Sequence, residues 1–128
     1  MLAGGSGTRL GLPDGANKVY LPLAGRPLLS WSLRALYVAL DPVAAVLVVR
    51  PGDETLAGAA VGAAGLAERG AEPPRLVPGG ATRTESELAG IRALRDVVEA
   101  GRVDVVLVHD GARPFPDAAV LRRLVDAA

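Results

Sequence analysis

The chain has 128 residues, long enough for one domain with a real core, and 14 basic residues balance 14 acidic ones to zero net charge. With no run of like charge, it lacks the concentrated basic face of a general nucleic-acid or membrane-surface binder. It has no cysteine and one histidine, which removes disulfides, thiolate metal sites and multi-histidine metal sites. No apolar stretch reaches the roughly 20 residues needed to span a bilayer, and no signal core follows the N-terminus, so a cytoplasmic setting is the default expectation.

In chain order, Met1-Leu2-Ala3 leads into the glycine-rich loop Gly4-Gly5-Ser6-Gly7-Thr8-Arg9. Its glycines leave backbone N–H groups uncovered, in the manner of an anion-binding nest. The spacing fits neither a dinucleotide fingerprint nor a P-loop, because the third glycine comes late and no lysine-serine or lysine-threonine pair closes it. Lys18 follows as the only lysine among 13 arginines. A compact ammonium beside the forked guanidinium of Arg9 suits two different duties on a phosphate. The plain alternative is an ordinary glycine turn with one solvated lysine.

Pro27 and the apolar series Leu28, Leu29, Trp31, Leu33, Leu36 and Leu40 predict a helix with proline in its first turn. The run from Val43 to Val49 predicts a strand buried on both faces. A helix over 54–69 is interrupted by Gly58, Gly62 and Gly65, and Leu76-Val77 forms a short strand before the Pro78-Gly79-Gly80 turn. Thr84 and Glu87 match a capping box for a helix whose apolar face is Leu88, Ile91, Leu94, Val97 and Val98. Val103 to Val108 predicts another buried strand, ending at His109-Asp110, and Asp117 caps a last helix bearing Val120, Leu121, Leu124 and Val125.

Strand and helix alternate, so the expected fold is layered α/β, doubly wound, with helices on both faces of a mostly parallel sheet. Only three residues precede the first loop, and the chain stops inside a helix. The expectation is a single domain over 1–128, partial, with its first strand and C-terminal part missing.

Two further segments carry chemistry. Gly79-Gly80-Ala81-Thr82-Arg83-Thr84-Glu85-Ser86 lets backbone approach a ligand and delivers Arg83 and Ser86 to a helix N-terminus, where anions are favoured. A capping box with an exposed arginine accounts for the same residues. His109-Asp110-Gly111-Ala112-Arg113-Pro114-Phe115 follows a strand-like run, and open α/β sheets bind ligands at such carboxyl ends. Asp110 can hold Mg²⁺ through oxygen and Arg113 a phosphate, or the two can form a local salt bridge.

Together these segments resemble the 2-C-methyl-D-erythritol 4-phosphate cytidylyltransferase family of the non-mevalonate isoprenoid precursor pathway. The carrying residues are AGGSGTRLG at 3–11, Lys18 with LPLAGRPL at 21–28, GGATRTES at 79–86 and VLVHDGARPF at 106–115. The resemblance implies a Rossmann-like nucleotidyltransferase fold, CTP as co-substrate, Mg²⁺ as cofactor and a homodimer at full length. It implies that Arg9 and Lys18 neutralise the attacked phosphorus. Ala3, Gly4, Gly5, Ser6, Gly7, Thr8, Gly80, Arg83 and Ser86 would hold the nucleotide. Asp110 and Arg113 would face the acceptor phosphate, with Asp110 on the metal. Four positions depart from the family pattern: Gly4 and Gly111 stand for alanines, which loosens the backbone. Asn17 stands where proline precedes the lysine, and Ala81 stands where some members carry an acid. The ribitol 5-phosphate cytidylyltransferases resemble the chain in the same motifs. A nucleotide-binding remnant without activity is the reading outside enzymes.

Overall fold

The computed structural model describes residues 1–5, 11 and 16–128. Three parallel strands form the sheet, β1 (Leu2–Ala3), β4 (Val46–Val49) and β5 (Arg75–Pro78), in the order β1-β4-β5. Leu2 pairs with Val48 and Ala3 with Val49, while Val46 to Val49 pair with Arg75 to Pro78. β1 consists of two residues, Leu2 and Ala3.

A small antiparallel hairpin, β2 (Pro22–Leu23) and β3 (Arg26–Pro27), turns through Ala24 and Gly25, both at positive φ. That is the twist a two-residue hairpin loop requires. The Trp31 indole donates to the Leu23 carbonyl at 2.6 Å and lies under the Arg26 guanidinium, which ties the hairpin to the next helix.

Helix α1 (Leu28–Leu40) places Leu29, Leu33 and Tyr37 four residues apart on one buried face. They pack with Ala3, Leu47 and Val49 and with the small face Ala57, Ala60 and Ala64 at helix α2 (Glu54–Ala63). Small residues let the two helices approach, and the Ser30 hydroxyl donates to the Ala60 carbonyl at 2.7 Å. The predicted helix over 54–69 ends instead at Ala63. Gly65 turns left-handed, and a single 3-10 turn over Ala67–Arg69 follows.

On the opposite face, α3 (Arg83–Arg92) lies against β4, with Gly90 so close to Val48 that a Cβ would come within 2.9 Å of it. Alternate β4 residues therefore meet different helix layers, and the doubly wound expectation holds. The helix predicted to run from residue 84 through Val98 is broken in two, α3 and α4 (Arg95–Glu99). Strand β5 edges the sheet between Pro74 and Pro78. Arg75 reaches from it to the Ala93 carbonyl at 2.6 Å and to Asp96 at 3.3 Å. Helix α5 (Ala118–Asp126) is capped by Asp117 as expected and buries Leu121, while Arg122 donates to the Ala39 carbonyl of α1. Among the described residues, no helix is long and apolar enough to cross a membrane.

The predicted strand over 103–108 forms no ladder: Asp104 is a bend, and only Asp110 bridges to Leu2, in parallel. The reason is register. With Leu2 level with Asp110, residues 103–108 lie alongside a stretch of lane that the two residues of β1 do not reach.

The Met1 ammonium sits at the head of that lane, donating to the Val46 carbonyl at 2.7 Å. Burial lowers its pKa from 8.0 to about 6. The folded state thus binds this proton less readily than the unfolded chain, so stability rises with pH between about 6 and 8 and is lowest below that window. Such a lowering corresponds to about 2–3 kcal/mol of stability gained across the window. Urea midpoints at about pH 5.5 and pH 8.5 should show this gain, and acetylation of the amine should abolish that part of it.

Candidate active site

The register gathers the sequence motifs at one edge. Ala3 lies level with Val49 and Val49 with Pro78, while Leu2 bridges Asp110. Gly4-Gly5, Arg50, Gly79-Gly80 and Gly111 therefore all leave the sheet at its carboxyl edge. From β1 the chain winds outward through β4 to β5, then returns to the other side of β1 at Asp110. That reversal is a topological switch point, where open α/β sheets leave a ligand crevice.

Gly4 and Gly5 are exposed, and nothing lies within 4 Å of where their Cβ atoms would be. Their backbone is simply uncovered. The predicted binding residues Ser6, Gly7 and Thr8, and the predicted catalytic Arg9, lie outside the described residues. Lys18 opens a 3-10 turn, Lys18–Tyr20, capped by Asn17. Asn17 is 6% exposed; its amide donates to the Ala3 carbonyl at 2.6 Å and to Asp53 Oδ2 at 3.4 Å. Its Oδ1 accepts the Val19 N–H at 3.3 Å. Asp53, equally buried, pairs with Arg50 at 3.1 Å. The lysine is thus anchored to the ends of β1 and β4 by a buried polar chain, and the Ala3 carbonyl is occupied by it. Beside this chain the Tyr20 hydroxyl is pushed up to about 12, first by burial and then by the Asp53 charge, with Arg50 opposing.

Sequence reasoning treated Asn17 only as a missing proline and did not single out Asp53. The available signal was slight: Asn17 stands directly before the lone lysine, and Asp53 directly before the helix that starts at Glu54.

At the second motif, Gly79 N–H donates to the Val49 carbonyl at 2.7 Å and Gly80 N–H to Ser86 Oγ at 3.2 Å. The capping box is not Thr84 with Glu87 but Thr82 with Glu85: Thr82 Oγ1 accepts Glu85 N–H at 3.1 Å. Glu85 Oε2 accepts the N–H groups of Ala81 and Thr82 at 2.6 and 3.1 Å. The same spacing occurs twice, two residues apart. Gly80 selects the earlier one, because a Cβ there would strike the Glu85 side chain folded over the turn. Glu87 instead holds Arg83 at 2.9 Å, drawing that exposed guanidinium along the helix surface. Ser86 thus reaches the glycine turn, whereas Arg83 is engaged elsewhere.

At the third motif, Asp110 Oδ1 accepts Ala112 N–H at 2.9 Å, and its carbonyl accepts Arg113 N–H at 3.0 Å. His109 Nε2 lies 3.0 Å from the Arg113 carbonyl, closing the turn. The alternative Asp110–Arg113 salt bridge does not form, and Arg113 is exposed. Gly111 is not loose. It is buried, with N–H on the Leu2 carbonyl at 2.8 Å and carbonyl receiving Ser32 Oγ at 2.6 Å. No group of three or more metal-binding side chains occurs among the described residues. A cation here would rest on the Asp110 carboxylate and on ligand oxygens, the way Mg²⁺ is held with phosphates.

This architecture defines a class: a doubly wound α/β domain of the nucleotidyltransferase type, with glycine turns and cations at the switch point. The sequence matches the family of 2-C-methyl-D-erythritol 4-phosphate cytidylyltransferases (IspD) over residues 1–128, and the chain belongs to that family. It is 36% identical over 127 residues to the 2-C-methyl-D-erythritol 4-phosphate cytidylyltransferase of Prochlorococcus marinus (strain MIT 9313), covering 99% of this chain and 51% of that protein. It is 39% identical to the enzyme of the same name from Xylella fastidiosa (strain M23), covering 98% and 49%. The 4-diphosphocytidyl-2C-methyl-D-erythritol synthase of Anaerococcus prevotii DSM 20548 superimposes with a TM-score of 0.72 at 26% identity, over 98% of this chain and 47% of that one. The chain spans about half the length of the curated relatives it matches.

Three outcomes follow from the polar anchors and the capped turn. Asn17→Ala strands the Ala3 carbonyl and an Asp53 oxygen, and should cost about 1–3 kcal/mol in urea denaturation. Asn17→Asp should cost more, since it sets a second carboxylate against Asp53. Gly80→Ala should displace Glu85 and cost about 1 kcal/mol through loss of the cap, with reduced α3 helicity by amide exchange.

Proposed function

We propose that this chain carries the nucleotide-binding and charge-stabilising part of a cytidylyltransferase that transfers CMP from CTP to 2-C-methyl-D-erythritol 4-phosphate. The observation that supports it best is the common register bringing Gly4-Gly5, Gly79-Gly80 and Asp110 to one edge. Membership of the family over every residue favours this acceptor over ribitol 5-phosphate.

In this reading an acceptor phosphate oxygen bonds to the α-phosphorus of CTP while the bond to the bridging oxygen breaks, and pyrophosphate leaves. Lys18 and Arg9 offset the negative charge that gathers on the five-coordinate phosphorus. For Lys18 the fixed placement of its turn matters, because preorganised charge needs no rearrangement during reaction. Asn17 supports this by holding the Lys18 turn against β1. The exposed backbone of Gly4 and Gly5 donates N–H groups to nucleotide oxygens, while Ser86 Oγ accepts the Gly80 N–H and steadies the Gly80 turn, whose missing side chain lets the nucleotide approach. By resemblance to the family, Ser6, Gly7 and Thr8 also bind the nucleotide, and Ala3 backs the site from β1.

Arg113, exposed and without an ion-pair partner among the described residues, receives the acceptor phosphate. Arg83 shapes the pocket rim once it leaves Glu87. Mg²⁺ on Asp110 and the phosphates would offset further charge when bound. The enzyme works in the cytoplasm, in isoprenoid precursor synthesis, as a homodimer.

The test supplies CTP, Mg²⁺ and either methylerythritol phosphate or ribitol phosphate, and follows pyrophosphate. Faster release with methylerythritol phosphate is expected; preference for ribitol phosphate overturns the acceptor. No release with either acceptor, and no CTP binding by calorimetry, overturns the proposal as a whole. Lys18→Ala should lower turnover by ~10²–10³-fold. CTP affinity should fall by less than about tenfold, which separates charge stabilisation in the transition state from uniform binding.

A further inference from the structure

Helix α1 reaches the loop that carries Arg113 with two successive residues, Trp31 and Ser32. Ser32 is fully buried and donates its hydroxyl to the Gly111 carbonyl at 2.6 Å. Trp31 meets the Phe115 ring at 6.2 Å between centroids, tilted by 48°, within the range of attractive aromatic pairs. The two contacts fall on either side of Arg113, two residues before it and two after.

Trp31 is itself a fixed anchor. Its indole N–H donates to the Leu23 carbonyl at 2.6 Å, and the Arg26 guanidinium lies 5.2 Å from the ring centroid. Phe115, by contrast, is 71% exposed, so its ring contributes little to the core. Set against a fixed indole, that ring is placed to hold the loop rather than the fold.

Between these anchors the Arg113 backbone is tied at both ends. Its N–H donates to the Asp110 carbonyl at 3.0 Å, and its carbonyl lies 3.0 Å from His109 Nε2. Pro114 then fixes φ on the way to Phe115. The Arg113 side chain is exposed at the end of this held loop. Because that side chain is long and rotatable, the placement of its charge depends on how firmly the backbone beneath it is held.

We propose that Trp31 and Phe115 are positioning residues for the acceptor phosphate, acting through Arg113. The inference rests on the reading that Arg113 receives that phosphate. Ser32 holds the start of the loop and the aromatic pair holds its end, so the guanidinium meets a phosphomonoester already in place. Loss of the ring contact releases only the Pro114–Phe115 end. The Gly111 bonds and the glycine turn at Gly79-Gly80 are untouched, so the effect is confined to the acceptor.

The test titrates 2-C-methyl-D-erythritol 4-phosphate into the chain by calorimetry, with Mg²⁺ and CMP present. CMP has no pyrophosphate to release, so no transfer competes with binding. Phe115→Ala should weaken acceptor binding by about three- to tenfold, with CTP affinity and the urea midpoint unchanged. Phe115→Tyr keeps the ring and should bind the acceptor as the original chain does. Trp31 is the only tryptophan, so acrylamide quenching of its emission should rise in Phe115→Ala and return with Phe115→Tyr. In an Arg113→Ala background, Phe115→Ala should have no further effect, because the ring acts through the guanidinium.

Equal losses in the alanine and tyrosine variants, a matching loss of CTP affinity, unchanged quenching, or an additive loss in the Arg113→Ala background each overturn the inference. So does unchanged acceptor affinity in Phe115→Ala while Arg113→Ala weakens it. Full acceptor binding by Arg113→Ala, or none by the original chain, overturns the Arg113 reading itself, and the inference falls with it.

Discussion

Two residues in β1 hold the molecule in register. Leu2 bonds Asp110's strand end through His109 and Gly111, while the Met1 and Leu2–Ala3 backbone pairs with Val48 and Val49. Because both neighbours are parallel to it, shifting β1 by one residue would move Gly4 away from Gly79-Gly80 and exchange which side chains meet each helix layer. Leu29 and Ser32 of α1 meet Gly111 directly beneath this crossing, so packing and pairing constrain the same residues. The nearness of three motifs far apart in sequence is a consequence of that one strand.

What was legible in the sequence was local. Val46–Val49, the α1 stripe of Leu29 and Leu33, and the Asp117 cap each carry their signal within a few residues, and each is present. Glycine pairs after apolar runs marked the carboxyl edge for the same reason. The capping box was misplaced because the spacing of threonine to glutamate repeats at 82–85 and 84–87. What separates them is the space above Gly80, which no linear spacing encodes. The stretch 103–108 has strand composition, but ladder formation depends on a partner, and composition says nothing about one.

The Asn17–Asp53–Arg50 chain was illegible for a further reason. Its members are 36 and 3 residues apart, and only the β1–β4 register makes them neighbours. Each residue alone reads as an ordinary turn or helix cap. Joined, they set the Lys18 turn against the strand ends, which gives the lone lysine a fixed origin instead of a solvated loop. Gly111 is a similar case: composition suggested slack, whereas its contacts with Leu2 and Leu29 mark it as a close crossing.

The two margins of the sheet differ in kind. At β5, Pro74 and Pro78 bracket the outer strand, and Arg75 spends its guanidinium on Ala93 and Asp96, tethering that margin to α3 and α4. Prolines and a charge on a short outer strand discourage intermolecular pairing. Self-association through β5, and with it fibrillar growth from that side, is therefore suppressed by the covalent chain itself. At the far margin Val106 and Val108 are 40% and 44% exposed and no proline falls between residues 103 and 109, so that side lacks the safeguard that β5 carries.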